Sequence, residues 1–170
     1  MEITNARGKT PVMIAAEENE YHTVCTLLQY GAEFSDNISV QKLLNAACKK
    51  GDLDSVKIAH SKGANLNEEG ERGETPILLA SQNANYEVVD YLCENGADAS
   101  ISDGKGHSIL HQPASDGEIE RVKALLSRGA DPSGGLQGAL EFYYTDIVEL
   151  LIEEGADVNK VSVAFYQFHR

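Results

Sequence analysis

The chain has 170 residues, 42% of them hydrophobic, and carries 27 acidic against 14 basic side chains for a formal charge of −13. That length suits one domain, and the apolar fraction argues for a packed core rather than wholesale disorder. A net-acidic surface repels phosphate, which argues against nucleic acid and an anionic membrane as partners. Cys25, Cys48 and Cys93 are an odd set without CxxC spacing, as expected of reduced thiols in a cytoplasmic or nuclear protein. MEITNARGK lacks the apolar run of a signal peptide, and no segment approaches the ~18 apolar residues of a membrane span.

Taken in chain order, the elements pair up. TPVMIAA (10–16) opens a helix, with Pro at its first turn and Thr before it as start signals. TVCTLLQY (23–30) is an amphipathic second helix, and Gly31 follows as the residue expected just past a helix end. The same pairing returns as KLLNAAC (42–48) with SVKIAHSK (55–62), then TPILLAS (75–81) with VVDYLCEN (88–95). It continues as SILHQPA (108–114) with RVKALLSR (121–128), and as GLQGALE (135–141) with IVELLIEE (147–154). Gly-Ala closes each pair at 31, 63, 96, 129 and 155, so the steps are 32, 33, 33 and 26 residues. Ala15, Ala16, Ala46, Ala47, Ala80 and Ala139 fall on the first helices and allow neighbouring units to approach closely. No single unit can bury its apolar face alone, so the stack is expected to form one continuous core.

TPVMIAA, TPILLAS, Gly-Ala-Asp at 96–98, 129–131 and 155–157, and the 33-residue step resemble the ankyrin repeat family over essentially the whole chain. The resemblance implies an all-α ankyrin-repeat solenoid of helix-turn-helix units with β-hairpin fingers, five repeats plus a partial sixth. The boundaries read as 5–37, 38–70, 71–103, 104–133 and 134–159, with a partial or capping unit at 160–170. There are departures. Only His111 occupies the family's histidine position, which elsewhere holds Met13, Asn45, Leu78 and Gln137. Lys42-Leu43 replaces Thr-Pro in the second unit, and Pro113 falls inside a first helix that it should distort.

The short 26-residue step follows GADPSGGLQGALEFYY (129–144). Both helices of that unit are intact, so the seven residues missing from the usual 33 come from its finger. The tail SVAFYQFHR (162–170) reads as a second fingerless start, or as a C-terminal cap. Its Phe165, Tyr166 and Phe168 give an apolar end, which suggests a longer parent protein, a partner or a dimer contact. NARGK, directly before Thr10, starts inside a finger and also suggests an excised or truncated array.

Chemistry-bearing motifs are few. Gly8-Lys9-Thr10 mimics the end of a phosphate loop, but Ile3 stands where its first Gly belongs and no strand precedes it. His107 and His111 are four apart, yet they lack HExxH or a nearby Cys cluster, so no metal is expected. No nucleophile-base constellation emerges, and a stack of this kind offers a concave surface rather than a deep pocket, so neither an enzyme nor a cofactor is expected. Cys48 and Cys93 fall at apolar helix positions, whereas Cys25 falls at a more exposed one. Asn67 and Asn159 occupy the loop position that is hydroxylated in some members of the family.

The resemblance places partners on finger tips and on the inner face of first helices. Carried over by position, the finger residues are Arg7, Lys9, Glu71, Arg72, Glu74, Lys105 and His107. The inner-face residues are Glu17, Glu18, Lys49, Lys50, Gln82, Asn83, Ser115, Asp116, Glu141 and Phe142, with Tyr143 beside them. Phe142, Tyr143 and Tyr144, with the three tail aromatics, either bind or pack in place of the absent finger. The expected function is non-catalytic display to a protein partner, as part of a larger scaffold or regulatory protein. Alternatives are a regulatory or targeting domain of a larger enzyme or channel, or a groove for a small anion near Lys49, Lys50, Arg72 and His107. A monomer is the simplest state, with an end-to-end dimer through the C-terminal aromatics as the alternative.

Overall fold

A computed structural model describes residues 4–160 apart from Asn19, residues 34–36, Glu71 and Lys105. The helices run in five pairs. They are α1 (Pro11–Glu17) with α2 (Tyr21–Gln29), α3 (Asn37–Lys50) with α4 (Leu53–Ser61), and α5 (Pro76–Ser81) with α6 (Tyr86–Glu94). The last two pairs are α7 (His111–Ser115) with α8 (Ile119–Leu126), and α9 (Leu136–Glu141) with α10 (Thr145–Glu153). Each first helix packs on the first helix of an adjoining unit, and one core of Leu, Ile, Val and Ala side chains runs through the stack. There is no strand among the described residues. The architecture is therefore the all-α solenoid expected from the period.

Thr10-Pro11 and Thr75-Pro76 start their helices, with each Thr extended and its carbonyl accepting the first helical hydrogen bond. Lys42-Leu43 starts nothing. Without proline to stop it, α3 begins at Asn37, five residues earlier, and occupies the place of a finger. Gln41, only 7% exposed, ties this extension to the following loop: its Nε2 donates to the Asn65 carbonyl (3.0 Å) and its Oε1 accepts from the Asn65 N–H (2.9 Å).

Pro113 shortens α7 to five residues, as expected of an interior proline. It has no N–H for the carbonyl of Ile109, four residues back. The buried Ser81 hydroxyl, on α5 of the preceding unit, donates to that carbonyl instead (2.7 Å). One unit thus repairs the hydrogen bonding of the next.

The seven-residue deficit before α9 is bridged by a 3-10 turn at Pro132–Gly135, braced by the Asp131 carboxylate accepting from the Ser133 N–H (3.0 Å). This connection is tight. A Cβ on Gly134 would lie 2.1 Å from Ser108 Oγ, and one on Gly138 2.6 Å from the His111 carbonyl oxygen. These glycines let α9 seat directly on α7, and the unit keeps its helical core.

Cys48 is fully buried and its thiol is pushed up to about 12 by desolvation. Cys93 is half-buried. Cys25 departs from its expected exposure: it is 6% exposed and donates to Ser55 Oγ (2.8 Å). Taken alone, α2 places Cys25 toward solvent. Stacking of α4, with the small Ser55 opposite, closes that position. Asn67 is also a structural residue, donating to the Gly96 carbonyl (3.1 Å) and accepting from the Asp98 N–H (2.8 Å), so it stitches adjacent loops together.

Candidate functional site: fingers and inner-face ladder

Three fingers share one turn. The N–H of Asn5, Gly70 and Asp103 donates to the carbonyl of Lys9, Glu74 and His107 respectively, each at 2.9 Å. The fourth residue of each turn has positive φ and is glycine: Gly8, Gly73 and Gly106. That conformation is easy only for glycine, which is why the fingers carry Arg-Gly-Lys, Arg-Gly-Glu and Lys-Gly-His. Asn5 Oδ1 accepts from the N–H groups of Arg7 and Lys9, and Asp103 Oδ1 from that of His107. The hairpins are held by these turns, with a single antiparallel bridge, Ser102 to Ser108, among the described residues.

The fingers before α5 and α7 touch, because the Gly104 N–H donates to the Arg72 carbonyl (3.3 Å). Arg7 and Arg72 are exposed, and Lys9, Glu74 and His107 are half-buried at the finger bases. Glu71 and Lys105 lie outside the described residues. In the unit after the finger at 5–9, the described residues carry the helical extension of α3 instead of such a turn.

The inner-face residues form a ladder at the ends of the first helices. Glu17 ends α1 and Glu18 follows it; Lys49 and Lys50 end α3; Gln82 and Asn83 follow α5. Asp116 follows α7, while Glu141 ends α9 with Phe142 next. Glu18, Lys49, Lys50, Asn83, Asp116, Glu141 and Phe142 are exposed, and Gln82 is half-buried. Just before these positions the helices carry buried small residues, among them Ala15, Ala47, Ala80, Ala114 and Ala139. The scaffold is thus uniform where units touch and varied where they face outward.

Gln82, Asp103, His107 and His111 are brought together between finger and ladder. Gln82 Nε2 donates to Asp103 Oδ2 (3.3 Å), which also lies 3.3 Å from His107 Nδ1. The His107 and His111 rings stack with centroids 4.5 Å apart. Burial pushes the His111 imidazole below its ordinary range and the neighbouring His107 adds to this, while Glu141 and Asp103 oppose it. His111 Nδ1 is buried with no hydrogen-bond partner among the described residues. Among those residues no group of three His, Cys, Asp or Glu side chains is arranged to hold a metal. The basic residues considered for an anion are already engaged in part: Lys50 Nζ sits over the Tyr21 ring (5.3 Å), and His107 lies against the Asp103 carboxylate.

The aromatics at the short step divide. Tyr144 is half-buried and leans on Gly117, where a Cβ would lie 2.6 Å from its ring. Phe142 and Tyr143 stand out, 57% and 74% exposed. Tyr143 also occupies the turn between paired helices with φ +59, a position filled by Gly51, Ala84 and Gly117 in earlier units. Sequence reasoning grouped these three aromatics; the turn register, counted from the unit start, is the signal that separates them. Phe165, Tyr166 and Phe168 lie outside the described residues.

Paired helices, glycine-turned fingers and a single stacked core define a helical repeat solenoid. The chain belongs to the ankyrin repeat family: a family model of three ankyrin repeats matches residues 43–134, and a single-repeat model matches residues 7–39. A Rickettsia bellii chain named for its ankyrin repeats is 32% identical over 130 residues, covering 71% of this chain and 72% of that one. Transient receptor potential cation channel subfamily A member 1 of Homo sapiens is 29% identical over 73% of this chain and 11% of its own length. The E3 ubiquitin-protein ligase KEG of Arabidopsis thaliana is 27% identical over 71% of this chain and 8% of its own length. This chain therefore spans most of the bacterial relative but only about a tenth of the channel and the ligase. Repeats of this family are non-catalytic and generally mediate protein–protein interaction. Among the described residues no helix is long and apolar enough to cross a membrane.

Proposed function

We propose that this chain is a non-catalytic protein-binding module that presents its fingers and inner-face ladder to a protein partner. The ladder carries this reading. Positions equivalent in the fold hold Glu18, Lys49-Lys50, Gln82-Asn83, Asp116 and Glu141-Phe142, a different chemistry at each step on a constant support. A stacked core fixes the spacing of these groups, so little conformational entropy is lost when a partner docks. Charge that is acidic at Glu18, basic at Lys49-Lys50 and acidic again at Asp116 and Glu141 favours one orientation of a partner over others. The five units at about 5–37, 38–70, 71–103, 104–133 and 134–159 are the structural alphabet of this display, with residues 160–170 as a partial or capping unit.

A second reading makes the module a regulatory or targeting domain within a larger enzyme or channel. It is favoured by relatives named as a ligase and a channel, in which the matched segment is a small part. Both readings share one test. The full chain, immobilised, is compared with the Lys49→Glu/Lys50→Glu variant and with Lys57→Glu/Lys62→Glu, on α4 and directly after it. Proteins retained from a lysate should be lost from the first variant and kept by the second. Equal loss from both would sink the ladder as the binding line.

A further inference from the structure

The face formed by α9 and α10, in the last described unit, combines three features. The first is an apolar cavity of about 220 Å³ lined by Ala139, Leu140, Tyr143, Thr145, Val148 and Glu149. Exposed Ile152 lies on α10, one turn beyond Val148 and Glu149, and exposed Phe142 directly follows α9, next to Tyr143. The second is strain. Tyr143 holds a left-handed turn position that glycine fills in two other units, and its ring stands mostly in water. Bulky residues rarely adopt this conformation, and those that do cluster at contact sites. The third is charge. From Glu141 to Asp157 there are six acids, Glu141, Asp146, Glu149, Glu153, Glu154 and Asp157, and no Lys or Arg.

We propose that this face docks an amphipathic basic segment of a partner protein, which seats one large apolar side chain in the cavity and sets Lys or Arg against Glu149. Charge selects this occupant. A second copy docked by the same surface would oppose acid to acid across the contact, because such a two-fold interface pairs a patch with itself. An acidic or phosphorylated segment meets the same repulsion. An apolar anchor beside a cation satisfies both the cavity and its rim, and a buried aromatic or aliphatic anchor is the usual source of binding energy in such contacts.

The test uses the full chain and a fluorescent peptide of about five helical turns built from repeated Leu-Lys-Lys-Leu, with a Leu-Glu-Glu-Leu counterpart. Anisotropy should show binding of the basic peptide only. Glu149→Lys should weaken it about tenfold or more, while Glu68→Lys, the same charge change on a distant exposed loop, should weaken it less than about twofold. The Lys49→Glu/Lys50→Glu variant should leave it intact, which separates this face from the ladder. Equal loss in Glu149→Lys and Glu68→Lys would reduce the effect to bulk attraction and overturn the proposal, as would equal binding of both peptides. Tighter binding in Phe165→Asp/Phe168→Asp would assign the face to the chain's own final residues. A concentration-dependent dimer in sedimentation, lost in Glu149→Lys, would assign it to a second copy.

Discussion

Among the described residues the second and fifth units show no finger turn, and they depart from it in opposite ways. In the second, chain length is nearly conserved and the finger's place is taken by helix: α3 runs from Asn37, and Gln41 fastens the addition to Asn65. In the fifth, the residues are gone, and a 3-10 turn with Gly134, Gly135 and Gly138 lets α9 close directly onto α7. Addition is stabilised by hydrogen bonds from one side chain. Deletion is stabilised by the absence of side chains. The two units should therefore respond differently to substitution, and that difference can be measured.

The largest effect is expected at Gly138. A Cβ there would meet the His111 carbonyl oxygen at 2.6 Å and Ser115 Oγ at 2.4 Å, and the backbone cannot swing away. Gly138→Ala should lower unfolding stability by about 1–3 kcal/mol through overpacking, despite alanine's better helix propensity. The equivalent position in the second unit is Ala46, where Ala46→Gly should cost only about 1 kcal/mol, the propensity difference itself. Urea unfolding of both variants decides this. A neutral or stabilising Gly138→Ala would show that the fifth unit is not closed as tightly as described.

Next is the repair of α7, the helix on which the fifth unit sits. Ser81→Ala removes the donor to the Ile109 carbonyl in a buried setting and should cost about 1–3 kcal/mol. Pro113→Ala restores a backbone N–H that can serve the same carbonyl. The Ser81→Ala loss should then shrink in the Pro113→Ala background, a coupling that a double-mutant cycle measures directly. Additive effects would show that the two sites do not share that carbonyl. In the second unit, Gln41→Leu should cost about 1–2 kcal/mol by stripping two hydrogen bonds from Asn65, leaving the α7 region unchanged in hydrogen exchange.

How far the sequence foretold this varies by residue. The period, the paired helices and the shortened α7 were legible because Thr-Pro, Gly-Ala and Pro113 act locally, each restricting its own backbone. The loss of the second finger was half-legible. Lys42-Leu43 marks the departure, but that α3 runs back through the finger's place depends on an absence, the missing proline, combined with burial of Val40 and Gln41. Cys25 departs from its expected exposure because a helix wheel describes one helix, while burial against Ser55 involves its neighbour. The separation of Tyr144 from Tyr143 was not legible in composition at all. It depends on which residue of the turn leans on Gly117 and which holds positive φ, a matter of register between units. For the ladder, position was legible, but preference for a partner lies in side chains whose chemistry the fold leaves unconstrained.

A smaller effect concerns acid. His111 sits between α7 and α9, faced by His107 and Asp103 from the finger and Glu141 from α9, and burial holds its pKa below the ordinary value. With the folded pKa depressed, the unfolded chain binds this proton more readily. Stability should be intact above about pH 6.5, the unfolded value, and fall as pH drops from there toward the folded pKa. The equivalent residue in the third unit is Leu78, so His111→Leu is a tolerable replacement that removes the titration. Melting temperature between about pH 7.5 and 5 should then vary less than in the natural chain. An unchanged pH profile would mean that other groups set the acid response of this junction.

The smallest effect, and the most informative for the comparison, is at Tyr143. Its φ of +59 matches the turn conformation of Gly51 and Gly117. Were stability the only demand on this turn, glycine would serve it better in both units. Tyr143→Gly should therefore raise stability by about 1 kcal/mol, by relieving a left-handed conformation that L side chains resist. Gly51→Ala should do the reverse and by more, since a Cβ there also meets Asn85 Oδ1 at 2.6 Å. The two substitutions, read by denaturant midpoint, place the second and fifth units on opposite sides of the natural chain. If Tyr143→Gly destabilises instead, the ring makes folding contacts that outweigh its backbone strain, and the turn is structural. If it stabilises while weakening capture of the basic peptide, the fifth unit keeps a strained tyrosine for contact with a partner.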